Sequence, residues 1–291
     1  MTERMIRANG IELCTETFGA RSGEPLLLIM GATAQGIYWP EDFIQRFVDR
    51  GRFVIRYDNR DTGRSTCVDF ARDPYTLDDL ARDAAGVLDA YDLPTAHVAG
   101  ASMGGMIAQV LAIQHRSRLR SATLIMSSPL AGGGDQPVLA AADLPGADPK
   151  WLEGMMALQF QPAVTREERI QKRIENFAAL AGSIEPFDRG RQRLIAEREV
   201  DRAANFEAMN NHGLAVGLSK PADRRPLLAE IDLPTMVVHG TEDPILPYSH
   251  GVALAQTIPG AELLTLDRAG HEMPLCYMDE MVARMLALQD R

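Results

Sequence analysis

The segment Gly100-Ala101-Ser102-Met103-Gly104 sets a serine between glycines, after an apolar strand pattern at His97-Val98-Ala99 and before an apolar helical stretch from Met106 to Gln114. A G-x-S-x-G step in a strand–turn–helix setting is the signature of a nucleophile elbow. Such a turn is tight enough to hold Ser102 at strained backbone angles and to leave no room for side chains at 100 and 104. It lifts the hydroxyl above a sheet edge, over a helix N-terminus that favours negative charge. The bare motif also describes an ordinary surface turn, so the chemistry depends on what else the chain supplies.

A serine hydroxyl attacks only when a base takes its proton and a third group orients that base. Elbow enzymes supply them in the order Ser, Asp or Glu, His. Downstream, Thr235-Met236-Val237-Val238-His239 reads as a buried strand followed by the turn Gly240-Thr241-Glu242-Asp243-Pro244. A further strand, Ala261 to Leu266, runs into Asp267-Arg268-Ala269-Gly270-His271. Two carboxylates and a histidine therefore follow the C-terminal ends of strands, the edge where open α/β sheets place active sites. Glu242 and Asp243 are both candidates for the acid, with Asp267 a distant third, and Asp243 could also be a turn former before Pro244.

The oxyanion formed on attack needs donors fixed in advance. One expectation is the Met103 backbone N–H, next to the nucleophile. Another is the Ala32 N–H, in the small-residue loop Gly31-Ala32-Thr33-Ala34-Gln35-Gly36 that follows the apolar run Pro25 to Met30. The remaining histidines have weaker contexts: His97 and His239 lie in apolar strands, His115 ends a helix, and His212 and His250 look surface or cap-borne. No histidine pair has metal-ligand spacing and there is no C-x-x-C, so no metal is expected. Cys276, close after His271, is a poor rival nucleophile.

These groups need a scaffold. Glu3–Ala8 and Ile11–Thr17 flank Asn9-Gly10, a strong hairpin signal. Strand and helix patterns then alternate. A helix from about Trp39 to Arg50 precedes the strand Phe53–Tyr57. Thr76 caps a helix reaching Tyr91, and Ala122–Met126 is the strand after the elbow helix. Alternation of this kind predicts an α/β fold with a mostly parallel sheet and helices on both faces. From Ser128 to about Arg225 the strand pattern stops. After a flexible exit at Gly132-Gly133-Gly134-Asp135, helical periodicity runs over 150–160, 165–180, 189–202 and 203–218.

The chain has 291 residues, 46% of them hydrophobic, enough for one large core with an insertion. A formal charge of −10 argues against nucleic acid or anionic membrane as partner. No apolar run is long enough to span a membrane and no leader pattern is evident. Three cysteines, Cys14, Cys67 and Cys276, form no disulfide framework, which points to a reducing cytoplasm. The oligomeric state is not legible.

On Gly100-Ala101-Ser102-Met103-Gly104-Gly105, His239-Gly240-Thr241-Glu242-Asp243-Pro244, Gly270-His271 and Tyr57 to Ser65, the chain resembles the α/β-hydrolase superfamily over nearly its whole length. Met30-Gly31, Trp39-Pro40, Arg56-Tyr57-Asp58, Arg60 to Thr66 and Asp243-Pro244 make it most similar to the aclacinomycin methylesterases. The resemblance implies a cofactor-independent serine esterase and favours Asp243 over Glu242, giving Ser102, His271 and Asp243 as the triad. It also implies that 129–225 is a helical cap inserted into a core formed by 1–128 and 226–291. Many such enzymes carry His-Gly where this chain has Met30-Gly31; a backbone donor survives that change.

Pocket residues are expected at Gly31 and Trp39, beside the oxyanion loop, and in the cap at Met155, Met156 or Phe160. Most cap apolar residues should simply pack, and the charges of Arg166-Glu167-Glu168-Arg169 and Glu197-Arg198-Glu199 read as a solvated helix face. The expected partner is a small-molecule ester. A lactonase, a C–C bond hydrolase or a perhydrolase would carry nearly the same motifs. A silent hydrolase fold serving as a ligand-binding protein is the alternative outside enzymes, and the retained Ser, Asp and His argue against it.

Overall fold

The apolar runs without alternation become strands covered on both faces. In a computed structural model, which describes residues 3–131, 141, 143–159 and 161–291, they form one eight-stranded sheet. Its strands are β1 (Glu3–Ala8), β2 (Ile11–Phe18), β3 (Glu24–Ile29), β4 (Arg52–Tyr57), β5 (Ala96–Ala101), β6 (Leu119–Ile125), β7 (Thr235–Gly240) and β8 (Glu262–Leu266). Their order is β1-β2-β4-β3-β5-β6-β7-β8. The hairpin β1–β2 and the pair β2–β4 are antiparallel, and all other pairs are parallel. The expected Asn9-Gly10 hairpin is present, with Ala8 paired to Ile11.

Successive residues of a strand feed opposite faces. Leu27 and Ile29 of β3 join a core with α2 (Leu77–Ala90) and α3 (Met103–Gln114). Leu26 and Leu28 join a second core with α1 (Glu41–Val48) and the C-terminal helix (Met278–Gln289). A capping box between Thr76 and Asp79 starts α2 where the sequence placed its N-cap.

Between β6 and β7 the described chain is helical: α4 (Pro149–Gln159), α5 (Arg166–Ala178), α6 (Arg189–Arg202), α7 (Asn211–Leu218) and the short α8 (Arg225–Leu228). The stretch read as one helix over 203–218 divides into a 3-10 turn, Phe206–Asn210, and α7. The Gly132–Asp135 exit lies outside the described residues. After β7 come α9 (Ser249–Thr257), β8 and α10 (Met278–Gln289).

Candidate active site

The elbow forms because β5 stops against the start of α3. Ser102 sits at φ 54° and ψ −118°, a backbone region that side chains avoid. Its own N–H donates to Ile125 O of β6 at 2.8 Å, which fixes the turn to the sheet. A Cβ on Gly100 would lie 2.1 Å from Gly104 O, and one on Gly104 would lie 2.1 Å from Ile29 O. Both glycines are thus required by close backbone approach, as the motif predicts. Met103 is the first residue of α3, so its N–H has no partner within the helix.

Asp243 lies in the turn after β7. Its Oδ1 accepts the N–H groups of Ile245 and Leu246, both at 2.9 Å. Its Oδ2 accepts from His271 Nδ1 at 2.6 Å and lies 3.4 Å from His239 Nε2. A carboxylate can only accept, so His271 carries its proton on Nδ1 and leaves Nε2 free to act as a base. Burial disfavours the Asp243 charge, but His271 and His239 overcome it and hold the carboxyl well below its usual range. Burial likewise opposes charge on His271; Asp243 outweighs it and raises the imidazole above its ordinary 6.5. Glu242 turns away, accepting from Ser183 N–H and Oγ, and the exposed Asp267 carboxylate accepts from Thr241 Oγ1 at 3.4 Å.

The loop after β3 passes directly over the serine. A Cβ on Gly31 would lie 3.0 Å from Ser102 Cβ and 3.2 Å from Ala101 O, so a larger residue there would crowd the serine. Asn59 Nδ2 donates to Met30 O at 3.0 Å and anchors the loop's start. Beyond it, Thr33 adopts φ 62°.

Ser102, Met103, Gly31, Ala32 and His271 all line one cavity of about 770 Å³. Its wall is largely apolar, with Met30, Met106, Met126, Met155 and Phe177 contributing. Asp243 stands behind His271, buried.

Two expected pocket residues are elsewhere. Trp39 is fully buried and stacks on Phe43 at 5.7 Å; its neighbours Tyr38 and Pro40 face the cavity instead. The chain turns at this point, and the large indole goes to the core beneath α1. Met156 is 53% exposed, while Met155, about 100° away round α4, lines the cavity. Phe160 lies outside the described residues.

Other histidines have structural partners. Buried His97 bonds Ser121 Oγ at 2.8 Å, and burial lowers it to about 4. His250, buried rather than superficial, bonds Ser128 Oγ and Pro145 O. His212 is in the insertion but also fully buried.

Sequence reading missed a buried cluster on the cavity wall. Arg173 donates to both Glu199 oxygens, at 2.7 and 2.9 Å, and Tyr38 OH donates to Glu199 at 2.7 Å. Glu199 is 1% exposed, which corrects its assignment to a solvated face; Arg166 and Glu167 do form exposed pairs, and Glu197 a half-buried one. Glu272, beside His271, accepts from Gly182 N–H at 2.9 Å, and burial raises it. Nothing in a helical charge pattern distinguishes a buried Glu199 from a half-buried Glu197.

Residues 24–275 match the family described as alpha/beta hydrolase fold. The chain is 36% identical over 294 residues to rhodomycin D methylesterase DauP of Streptomyces sp. (strain C5), covering 99% of this chain and 98% of that protein. It is 36% identical over 295 residues to rhodomycin D methylesterase DnrP of Streptomyces peucetius, at the same coverage of both chains. Among solved structures, an esterase from Exiguobacterium antarcticum superposes with a TM-score of 0.77 at 20% identity, over 100% of both chains.

Proposed function

Because the chain belongs to the alpha/beta hydrolase fold family, we propose that it cleaves a carboxylic ester by acyl transfer through Ser102, His271 and Asp243, with the Ala32 and Met103 amides as the oxyanion hole. One observation carries this reading. A strained Ser102 and a histidine oriented at 2.6 Å by a buried carboxylate open onto the same apolar cavity.

His271 Nε2 takes the Ser102 proton as Oγ attacks the ester carbonyl. The tetrahedral oxyanion is held by the two backbone amides, each donor of this kind being worth about 3–4 kcal/mol. Asp243 stabilises the imidazolium that forms. The imidazolium gives its proton to the departing alkoxide, and the alcohol leaves. Water, deprotonated by His271, then attacks the acyl-enzyme, and collapse of the second intermediate returns the Ser102 hydroxyl and frees the acid.

The similarity to two methylesterases supports a small alcohol on an apolar acid, and the apolar cavity supports the same choice. We read 129–225 as a cap on the core of 1–128 and 226–291. The three cysteines are free thiols, which supports a reducing compartment, the cytoplasm. Among the described residues no helix is long and apolar enough to cross a membrane.

Incubation with a small fluorophosphonate tests the reading. Intact mass should show one adduct on the wild type and none on Ser102→Ala, whose ester turnover should fall by orders of magnitude. A folded wild type that takes no adduct and turns over no ester overturns it.

A further inference from the structure

We propose that Arg173 and His212, both carried by the helical insertion, are positioning residues that set the oxyanion loop by gripping Thr33 from two sides. The inference rests on the hydrolase reading above and goes beyond it, assigning the insertion a part in building the site as well as covering it.

Thr33 follows Ala32, the expected oxyanion donor, and its positive φ of 62° is one that a β-branched residue does not adopt unaided. Two side chains impose it. Thr33 N–H donates to His212 Nδ1 at 3.0 Å, and Arg173 Nη2 donates to Thr33 O at 3.1 Å. The first contact fixes the peptide joining Ala32 to Thr33; the second fixes the next one. Together they determine the direction of the Ala32 backbone over Ser102.

Both grips are themselves held. With Nδ1 accepting, His212 must carry its proton on Nε2, which donates to Arg60 O at 2.7 Å. Only the neutral ring can serve both contacts, and complete burial favours that form. Arg173 is fixed by the two-point pair with Glu199. Glu199 O also accepts from Gln35 Nε2 at 2.9 Å, so α6 holds the far end of the same loop. Meanwhile His271 N–H donates to Leu180 O, just past the end of α5, at 2.8 Å. Helix α5 and its C-terminal extension therefore touch the oxyanion loop through Arg173 and the loop of the base through Leu180.

A role confined to folding would lower the melting temperature and leave catalysis of the folded enzyme alone. A positioning role predicts a different pattern, read with p-nitrophenyl acetate, an aryl trifluoromethyl ketone and the carboxylic acid product. The ketone adds Ser102 to form an oxyanion; the product forms none. In His212→Phe, kcat should fall about 10- to 100-fold, less than the 10²–10³ of deleting a donor outright, with KM within about twofold. The ketone should lose affinity by the same factor as kcat/KM while product inhibition stays put. His212→Gln, whose side-chain carbonyl can accept from Thr33 N–H, should recover most of the loss. Arg173→Lys should show the same signature more weakly, and it reads the loop should His212→Phe not fold. A folded His212→Phe or Arg173→Lys with unchanged kcat, or with ketone and product weakened alike, overturns the assignment. A folded wild type that neither labels at Ser102 nor turns over ester overturns the hydrolase reading instead, so the two failures are distinct.

Discussion

At the scale of the residue, the proposed mechanism makes the pair His271–Asp243 set the working pH. The base must be neutral, and its proton affinity is raised by the carboxylate at 2.6 Å against the opposing effect of burial. The kcat/KM for an ester should thus rise with pH through a single limb centred above the ordinary imidazole value of 6.5. Asp243→Asn removes the charge and should lower both the midpoint and kcat, the latter by about 10⁴ where the analogous change has been made in a serine-protease triad. A wild-type midpoint below 6.5 would refute the raised base. The stability signs differ. The raised His271 contributes stability below the unfolded imidazole value, lost as pH climbs through the folded one. The lowered Asp243 contributes above the usual carboxyl range, and its contribution is lost as pH falls.

At the scale of the element, the strand–turn–helix unit β5–α3 tolerates no added atom on its inner side. In Gly104→Ala the new methyl would lie 2.1 Å from Ile29 O and 3.0 Å from Met30 O, pushing on the strand that leads into the oxyanion loop. Overpacking of a close-packed site costs about 1–3 kcal/mol or more. The variant should melt several degrees below the wild type and lose ester turnover. Gly154→Ala in α4 is the control: nothing lies within 4 Å of the added methyl, and the change should stabilise the helix by up to about 1 kcal/mol. Calorimetry of the two variants side by side checks the contrast; equal melting of Gly104→Ala and wild type would show that the elbow can relax.

At the scale of the whole molecule, the sheet and the helices between β6 and β7 share one cavity. The sheet side brings Ser102 and the oxyanion loop, while α4 and α5 bring Met155 and Phe177. Thioether chains fit varied apolar shapes, and about 770 Å³ holds far more than an acetyl group. Filling it from the insertion should separate binding from chemistry. For Met155→Trp, kcat/KM for a naphthoate methyl ester should fall about tenfold, roughly the 1–3 kcal/mol that small steric changes in a pocket decide. Turnover of p-nitrophenyl acetate should stay within about twofold. Equal losses on both esters would mean that Met155 does not face the bound acyl group.

The amino-acid sequence by itself determined the parts whose chemistry is local. Glycines flanking Ser102 mark a turn because only a missing side chain permits that approach, and apolar runs mark strands because both faces are covered. The Asn9-Gly10 hairpin, the Thr76 cap and the order Ser, Asp, His were legible for the same reason. Tertiary structure decided which carboxylate meets His271: Glu242 and Asp243 are adjacent in the chain, and only the turn after β7 sends one to His271 and the other to Ser183. It also sent Trp39 to the core and Tyr38 to the cavity, and it buried Glu199 against Arg173 while leaving Glu197 partly accessible. Those outcomes depend on contacts between separate segments, 28 residues apart for Asp243 and His271, 26 for Arg173 and Glu199 and 179 for His212 and Thr33, and no periodicity within one segment encodes what another segment will place against it.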